Sequence, residues 1–132
     1  MIVPYTDIIF YFFDGCKLMS NTQTQKYTYI KHYRSTNMGG VTKYIAICMT
    51  CKRIIKPTNA RRSKSGTHGE DYYVHEHPLE FILLYSSNRG NRSVSVPNTL
   101  KPIQEQLEIL WVYKNSSVYE IVEFINSYLS KL

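Results

Sequence analysis

Two stretches of the sequence decide the fold: YIAICMTC at residues 44–51 and DYYVHEHP at residues 71–78. The first ends in Cys48 and Cys51, separated by two residues, and the second carries His75 and His77, separated by one. Thiolates and imidazoles are the ligands that zinc prefers in a tetrahedral site. The pattern Cys-x2-Cys-x23-His-x-His therefore predicts a structural Zn²⁺ site, because four protein ligands leave no position open for a substrate.

The residues around the two pairs favour this interpretation. Cys48 follows a β-branched and aromatic run that predicts a strand, and strand ends are where zinc knuckles are built. On a predicted strand at residues 71–77, alternation puts His75 and His77 on one face, about 7 Å apart. A redox-active Cys-x2-Cys pair is the alternative, but no helix pattern follows Cys51. His68 is also a candidate to replace one of the two histidine ligands.

The N-terminal half of the chain reads as β-structure. A hairpin is predicted from the strands at residues 26–34 and 41–48, and residues 57–69 read as a long polar loop. Period-two alternation and apolar, β-prone runs bounded by turn residues indicate strands at residues 8–13, 17–19, 26–34, 41–48 and 71–77.

The C-terminal half changes character at residue 79. Residues 79–85 and 92–96 predict a second β-hairpin, and apolar residues at helical spacing predict two helices, from Pro102 and from residue 118. Ser117 and Glu120 have the spacing of a capping box. The predicted fold class is α+β, a small antiparallel β-sheet zinc finger followed by a β-hairpin and an αα-hairpin, with domains at residues 1–78 and 79–132.

The net charge of +6 is concentrated in the N-terminal half. Residues 26–64 contain ten basic residues and no acidic one, whereas residues 79–132 are balanced at five of each. A solvated basic face is one interpretation, and a surface for nucleic acid is the other. The residues predicted to contact nucleic acid are Lys31, Arg34, Lys43, Lys52, Arg53, Lys56, Arg61, Arg62 and Lys64.

The order of these features resembles the FLYWCH zinc finger, a family related to the WRKY and GCM-type folds. The resemblance covers roughly residues 8–78, a little over half of the chain. It rests on an apolar strand with Gly15 and Leu18 after it, a Tyr-x-Tyr strand at residues 27–29, an aromatic strand entering Cys48, and the closing His-x-His-Pro at residues 75–78. The family usually has a Trp where this chain has Ala46, and a wider gap between its cysteines.

The resemblance implies binding to duplex DNA, transcription regulation or a transposon-derived role, and a nuclear setting in a eukaryotic cell or a virus of one. The odd number of cysteines agrees with a reducing, intracellular compartment. No apolar run reaches the ~20 residues of a membrane span, and no signal peptide is expected at the N-terminus.

Two other classes of function stay open. A replication-initiator nuclease would use His75 and His77 for Mg²⁺ or Mn²⁺ and Tyr113 or Tyr128 as nucleophile, although Glu76 stands where such enzymes have an apolar residue. A zinc-stapled interaction module would use its basic face on an acidic protein or an RNA. The helical segment either packs on the chain's own sheet or forms a homodimer through residues 100–132, with the apolar face Leu107, Leu110, Trp111, Ile121 and Ile125.

Overall fold

The computed structural model of the chain describes residues 25–36, 40–64 and 68–132. It has the predicted α+β class, with antiparallel strands followed by helical elements. The strands are β1 (Tyr27–Thr36), β2 (Gly40–Cys48), β3 (Arg53–Ile55), β4 (Asn59–Arg62), β5 (His68–His75), β6 (Glu80–Ser86) and β7 (Arg92–Ser95). A 3₁₀ helix (Asn98–Ile103), α1 (Gln104–Glu108), a π-helical turn (Ile109–Tyr113) and α2 (Val118–Ser130) follow. The predicted strands at residues 8–13 and 17–19 lie outside the described residues.

The strands are arranged in the order β4-β5-β1-β2-β6-β7, and β3 pairs with the end of β2. Along β1, the residues from Tyr27 to Arg34 pair with β5, from Tyr27↔His75 to Arg34↔His68. Only the last two residues of β1 pair with β2, at Ser35↔Val41 and Thr36↔Gly40. The sheet therefore has two parts, joined where the last two residues of β1 pair with the start of β2. We call β4-β5-β1 the outer ribbon and β3, β2, β6 and β7 the central sheet.

The last four residues of β2 are buried on both faces because they lie between two cores. Successive side chains of a strand point to opposite faces, and Ile45 and Ile47 belong to one core cluster while Ala46 and Cys48 belong to the other. The first cluster joins the central sheet to the helices and includes Leu107, Trp111, Ile121 and Ile125. The second cluster joins the central sheet to the outer ribbon and includes Ile55, Tyr73 and Leu79.

Gly40 allows the start of β2 to lie close to β6. Its φ of +85° lies in the left-handed region, and a Cβ at this position would lie 2.1 Å from the backbone oxygen of Ser86 on β6. Only glycine combines that dihedral angle with so close an approach of backbone. The start of β2 can therefore lie directly against the end of β6.

The predicted hairpin at residues 26–48 is wrong in its extent, because the long partner of β1 is β5 rather than β2. The predicted loop at residues 57–69 is also wrong, since it contains β4 and the first residues of β5. All four residues of β4 are exposed, so this edge strand has no buried face to produce an alternating pattern.

The C-terminal hairpin and the helices follow the prediction more closely. β6 pairs with β7, and Ser117 and Glu120 form the predicted capping box. The segment after Pro97 is less regular than predicted, because it passes from 3₁₀ through α to π geometry. Leu107, Trp111, Ile121 and Ile125 are buried against the chain's own sheet, and Leu110 is half-buried beside them.

The division proposed between residues 78 and 79 falls in the connection between β5 and β6. Strand pairing crosses this position, because β6 pairs with β2 from Val41↔Ser86 to Ile47↔Glu80. The residues on either side of the division therefore share the central sheet and the first core cluster.

Candidate metal centre

The two cysteines lie on a tight turn between β2 and β3, residues 48–52, which we call the knuckle. Cys48 is the last residue of β2, and its carbonyl oxygen accepts a hydrogen bond from the Lys52 N–H at 2.8 Å. The Cys51 N–H points at the Cys48 Sγ at 3.2 Å. Lys52 has a φ of 58°, a left-handed conformation that turns the chain back into β3. The turn therefore holds both sulfur atoms on the same side of the backbone.

The two histidines come from the end of the outer ribbon. His75 is the last residue of β5, whereas His77 lies beyond the strand, which differs from the predicted position on it. The Tyr29 hydroxyl accepts a hydrogen bond from the Leu79 N–H at 3.0 Å and fixes the chain just after His77. The two imidazole rings lie 5.3 Å apart, at 69° to each other. Each ring can therefore present one nitrogen to a common point.

The four side chains form one cluster, as the sequence pattern predicts. Their ligand atoms all lie within 4.8 Å of one another. The Cys51 Sγ is 3.4 Å from both His75 Nε2 and His77 Nδ1, and the Cys48 Sγ is 3.6 Å from His77 Nδ1. In a tetrahedral site with the bond lengths of zinc, sulfur and nitrogen ligands stand about 3.6 Å apart. These separations match the edges of such a tetrahedron, so the cluster can hold a metal ion.

Burial disfavours the thiolate form of these ligands when no ion is bound. Cys48 is completely buried and His75 is 7% exposed, while Cys51 and His77 are half-buried. Burial and the neighbouring Cys48 raise the pKa of the Cys51 thiol above its ordinary value. A bound metal ion offsets this effect because it stabilises the thiolate form directly. The arrangement thus suits a closed structural site that joins the outer ribbon to the central sheet.

His68 does not belong to the cluster. It is the first residue of β5 and His75 is the last, so the two lie roughly 23 Å apart along the strand. The predicted ligands Cys48, Cys51, His75 and His77 are therefore the ones that the fold brings together.

The cluster suits the nuclease alternative poorly. Mg²⁺ prefers oxygen ligands and retains several waters, whereas both histidines here converge with two sulfur atoms. Tyr113 is 80% exposed at the end of the π-helical turn, and Tyr128 packs against the first core cluster. Neither tyrosine is one of the four clustered residues.

The predicted basic residues have different environments. Lys31 is half-buried between the two sheet parts, with its Nζ 4.4 Å from the centre of the Phe81 ring and 5.4 Å from that of Tyr44. Arg34 lies in β1 opposite His68. The remaining seven are exposed on β2, the knuckle, β3, β4 and the turns after them: Lys43, Lys52, Arg53, Lys56, Arg61, Arg62 and Lys64.

Several of these cations converge on two clefts. Lys43, Lys56 and Arg62 line a cleft of about 680 Å³ between the central sheet, the outer ribbon and α2. Arg61 and Arg62 line a second cleft of about 300 Å³ at the end of the outer ribbon. Arg62 borders both, so the two clefts form a continuous basic surface along β4.

Sequence reasoning did not single out the aromatic and acidic side chains in and near these clefts. Tyr33 borders both clefts, Asp71 borders the larger one, and Tyr72 is exposed on the opposite face of the ribbon. The signal for Tyr72 was present, because alternation along residues 71–75 places Tyr73 with His75 and Tyr72 on the other face. The signal for Tyr33 was absent, since its place depends on the β1–β5 pairing.

Comparison of the chain with protein-family models, curated proteins and solved structures finds no match in any of the three. The FLYWCH resemblance is accordingly an expectation that rests on the motif alone. Across residues 25–36, 40–64 and 68–132, none of the helices is both long and apolar enough to span a bilayer.

Proposed function

We propose that the chain is a nucleic-acid-binding protein whose fold is stabilised by a structural Zn²⁺ ion. Two sulfur and two nitrogen ligands in tetrahedral arrangement are typical of zinc, and Mg²⁺ or Ca²⁺ would require oxygen. The ion connects the knuckle between β2 and β3 to the end of β5. Its role is to hold the outer ribbon against the central sheet, because the small second core cluster alone supplies limited apolar burial there.

The observation that carries the nucleic-acid proposal is the convergence of exposed cations along β4. Lys43, Lys56, Arg61 and Arg62 come from three separate parts of the sequence and line two adjoining clefts. Asp71 and Glu70 are the acidic residues that line these clefts, so positive charge prevails in both. A surface of this kind neutralises phosphates and gains affinity from counterion release.

The sequence resemblance makes duplex DNA the first target to test and transcription regulation the first role. A nuclear location, in a eukaryotic cell or in a virus that infects one, belongs to the same proposal. A homodimer through residues 100–132 also remains a proposal. It would have to use exposed side chains such as Ile109, Tyr113 and Tyr119, because the apolar face first expected to mediate it is mostly buried.

The test is the salt dependence of binding to a short duplex DNA, followed by fluorescence anisotropy. The double variant Arg61→Gln/Arg62→Gln should bind more weakly and should lower the slope of log K against log salt by about one unit for each phosphate that it no longer neutralises. The matched control is Arg89→Gln/Lys101→Gln, which removes the same charge from exposed positions of the C-terminal half. Equal effects of both double variants, or binding to an acidic protein but not to DNA, would contradict the proposal.

A further inference from the structure

The solvent face of the outer ribbon combines exposed apolar side chains with an exposed arginine, Arg61. Residues opposite each other on paired strands point to the same face. The pairings Ile30↔Tyr72↔Asn59 and His32↔Glu70↔Arg61 therefore form two neighbouring rows on this face. The rows are two residues apart along the strands, about 7 Å.

The first row contains two exposed side chains that belong to neither core cluster. Ile30 is 52% exposed and Tyr72 is 39% exposed, and the pairing of β1 with β5 places them side by side. Their sequence neighbours point inward, where Tyr73 is buried and contacts Phe81 with ring centres 5.3 Å apart. Tyr72 is thus a partly exposed aromatic ring on the outer face of the ribbon, in a position where a planar ligand can stack on it.

The second row supplies charge next to this ring. Arg61 is exposed and also lines the cleft of about 300 Å³ at the end of the outer ribbon. Its neighbour Arg62 pairs with Gly69 and has its guanidinium 5.6 Å from the centre of the Tyr33 ring, so it belongs to the opposite face. Glu70 is the acidic residue among the described positions of the two rows, and it faces His32 Nδ1 at 3.6 Å. A polyanion that crosses the first row therefore meets the Arg61 guanidinium at the second.

We propose that this face binds a single-stranded segment of nucleic acid, with a base stacked on Tyr72 beside Ile30 and a phosphate at Arg61. The inference rests on the proposed nucleic-acid function and names the form of ligand. In a duplex the bases stack on one another, so Tyr72 would find no free base face. The ribbon is also three strands wide, about 10 Å between its outer strand axes before side chains are added, against a major groove about 12 Å wide.

The experiment compares binding of a fluorescent oligothymidylate of about ten nucleotides with binding of a duplex of the same length. Wild type should prefer the single strand. Tyr72→Ala should weaken single-strand binding by about 10- to 100-fold, because stacking on one aromatic ring contributes that much. Tyr72→Phe keeps the ring and should bind like wild type. The matched control is Tyr113→Ala, which removes a tyrosine that is 80% exposed elsewhere.

Two further variants separate stacking from charge and from folding. Glu70→Gln removes the negative charge from the face and should tighten oligothymidylate binding by about 2- to 5-fold. Ile30→Thr keeps a β-branched residue in the strand, so it tests the same row if Tyr72→Ala fails to fold. It should weaken single-strand binding and leave the metal content and circular dichroism unchanged.

The outcomes are distinguishable. Loss of single-strand binding in Tyr72→Ala, with Tyr72→Phe and Tyr113→Ala unaffected, supports the inference. Equal binding by wild type and Tyr72→Ala, with weakening only in Arg61→Gln, overturns the single-strand inference and leaves the proposed function standing. Binding of neither oligothymidylate nor duplex overturns both.

Discussion

Gly40 and Gly90 have nearly the same φ but different surroundings, so a comparison of the two tells backbone strain apart from steric overlap. Gly40 and Gly90 have φ values of +85° and +88°, but a Cβ on Gly40 would lie 2.1 Å from a backbone oxygen, whereas a Cβ on Gly90 would meet nothing within 4 Å. Gly90→Ala should therefore cost only the left-handed strain, about 1 kcal/mol. Gly40→Ala should cost at least about 3 kcal/mol, because backbone atoms must also move. Urea unfolding of both variants measures the two losses of stability. Equal losses would show that Gly40 is not tightly packed against β6.

Arg92 joins β7 to the helical segment. Its guanidinium lies 3.9 Å from the centre of the Trp111 ring and donates to the Ser116 carbonyl at 2.6 Å and to the Trp111 carbonyl at 3.2 Å. Arg92→Lys keeps the charge but loses the planar stacking on Trp111 and the rigid guanidinium that places both hydrogen bonds, so it should lower stability by roughly 1–2 kcal/mol. Arg89→Lys, at an exposed position in the neighbouring turn, is the control and should change stability by less than about 0.5 kcal/mol. Equal effects would contradict this role.

At the scale of elements, the success of sequence reasoning depended on whether the signal was local. The capping box at Ser117 and the cysteine knuckle are contained in a few consecutive residues, and both were predicted. β4 was missed because all of its residues are exposed and polar or small, so no periodicity marks it. The partner of β1 was missed because the pairing of Tyr27 with His75 joins residues far apart in sequence, which no local pattern encodes.

The helical segment shows the same limit. The apolar spacing predicted its existence, but the segment changes to π geometry at Ile109–Tyr113 and makes hydrogen bonds that the spacing does not encode. The indole Nε1 donates to the Tyr85 carbonyl at 3.0 Å, and the Ser116 N–H donates to the Leu110 carbonyl at 2.9 Å. Tyr85 and Ser116 lie outside the π-helical turn, so helical periodicity alone could not predict these hydrogen bonds.

At the scale of the whole molecule, the two cores should respond differently to loss of the metal. The first core cluster joins the central sheet to the helices and contains none of the four ligands, whereas Cys48 belongs to the second. Chelation should therefore expose the amides of β1, β4 and β5 to hydrogen exchange before those of β6 and α2. Amide exchange read by mass spectrometry after addition of a chelator checks this order. Simultaneous exposure of both parts would show that the metal stabilises the chain as a single unit.

The central claim is that Cys48, Cys51, His75 and His77 hold one structural zinc ion. The most direct measurement is the metal content of the purified protein and of Cys51→Ser, with Cys51 chosen because it is half-buried and the substitution changes one atom. The account predicts about one zinc per chain in the wild type, loss of that zinc in the variant, and a lower free energy of unfolding by several kcal/mol. A wild-type protein that folds without metal and has the same stability as Cys51→Ser would contradict it.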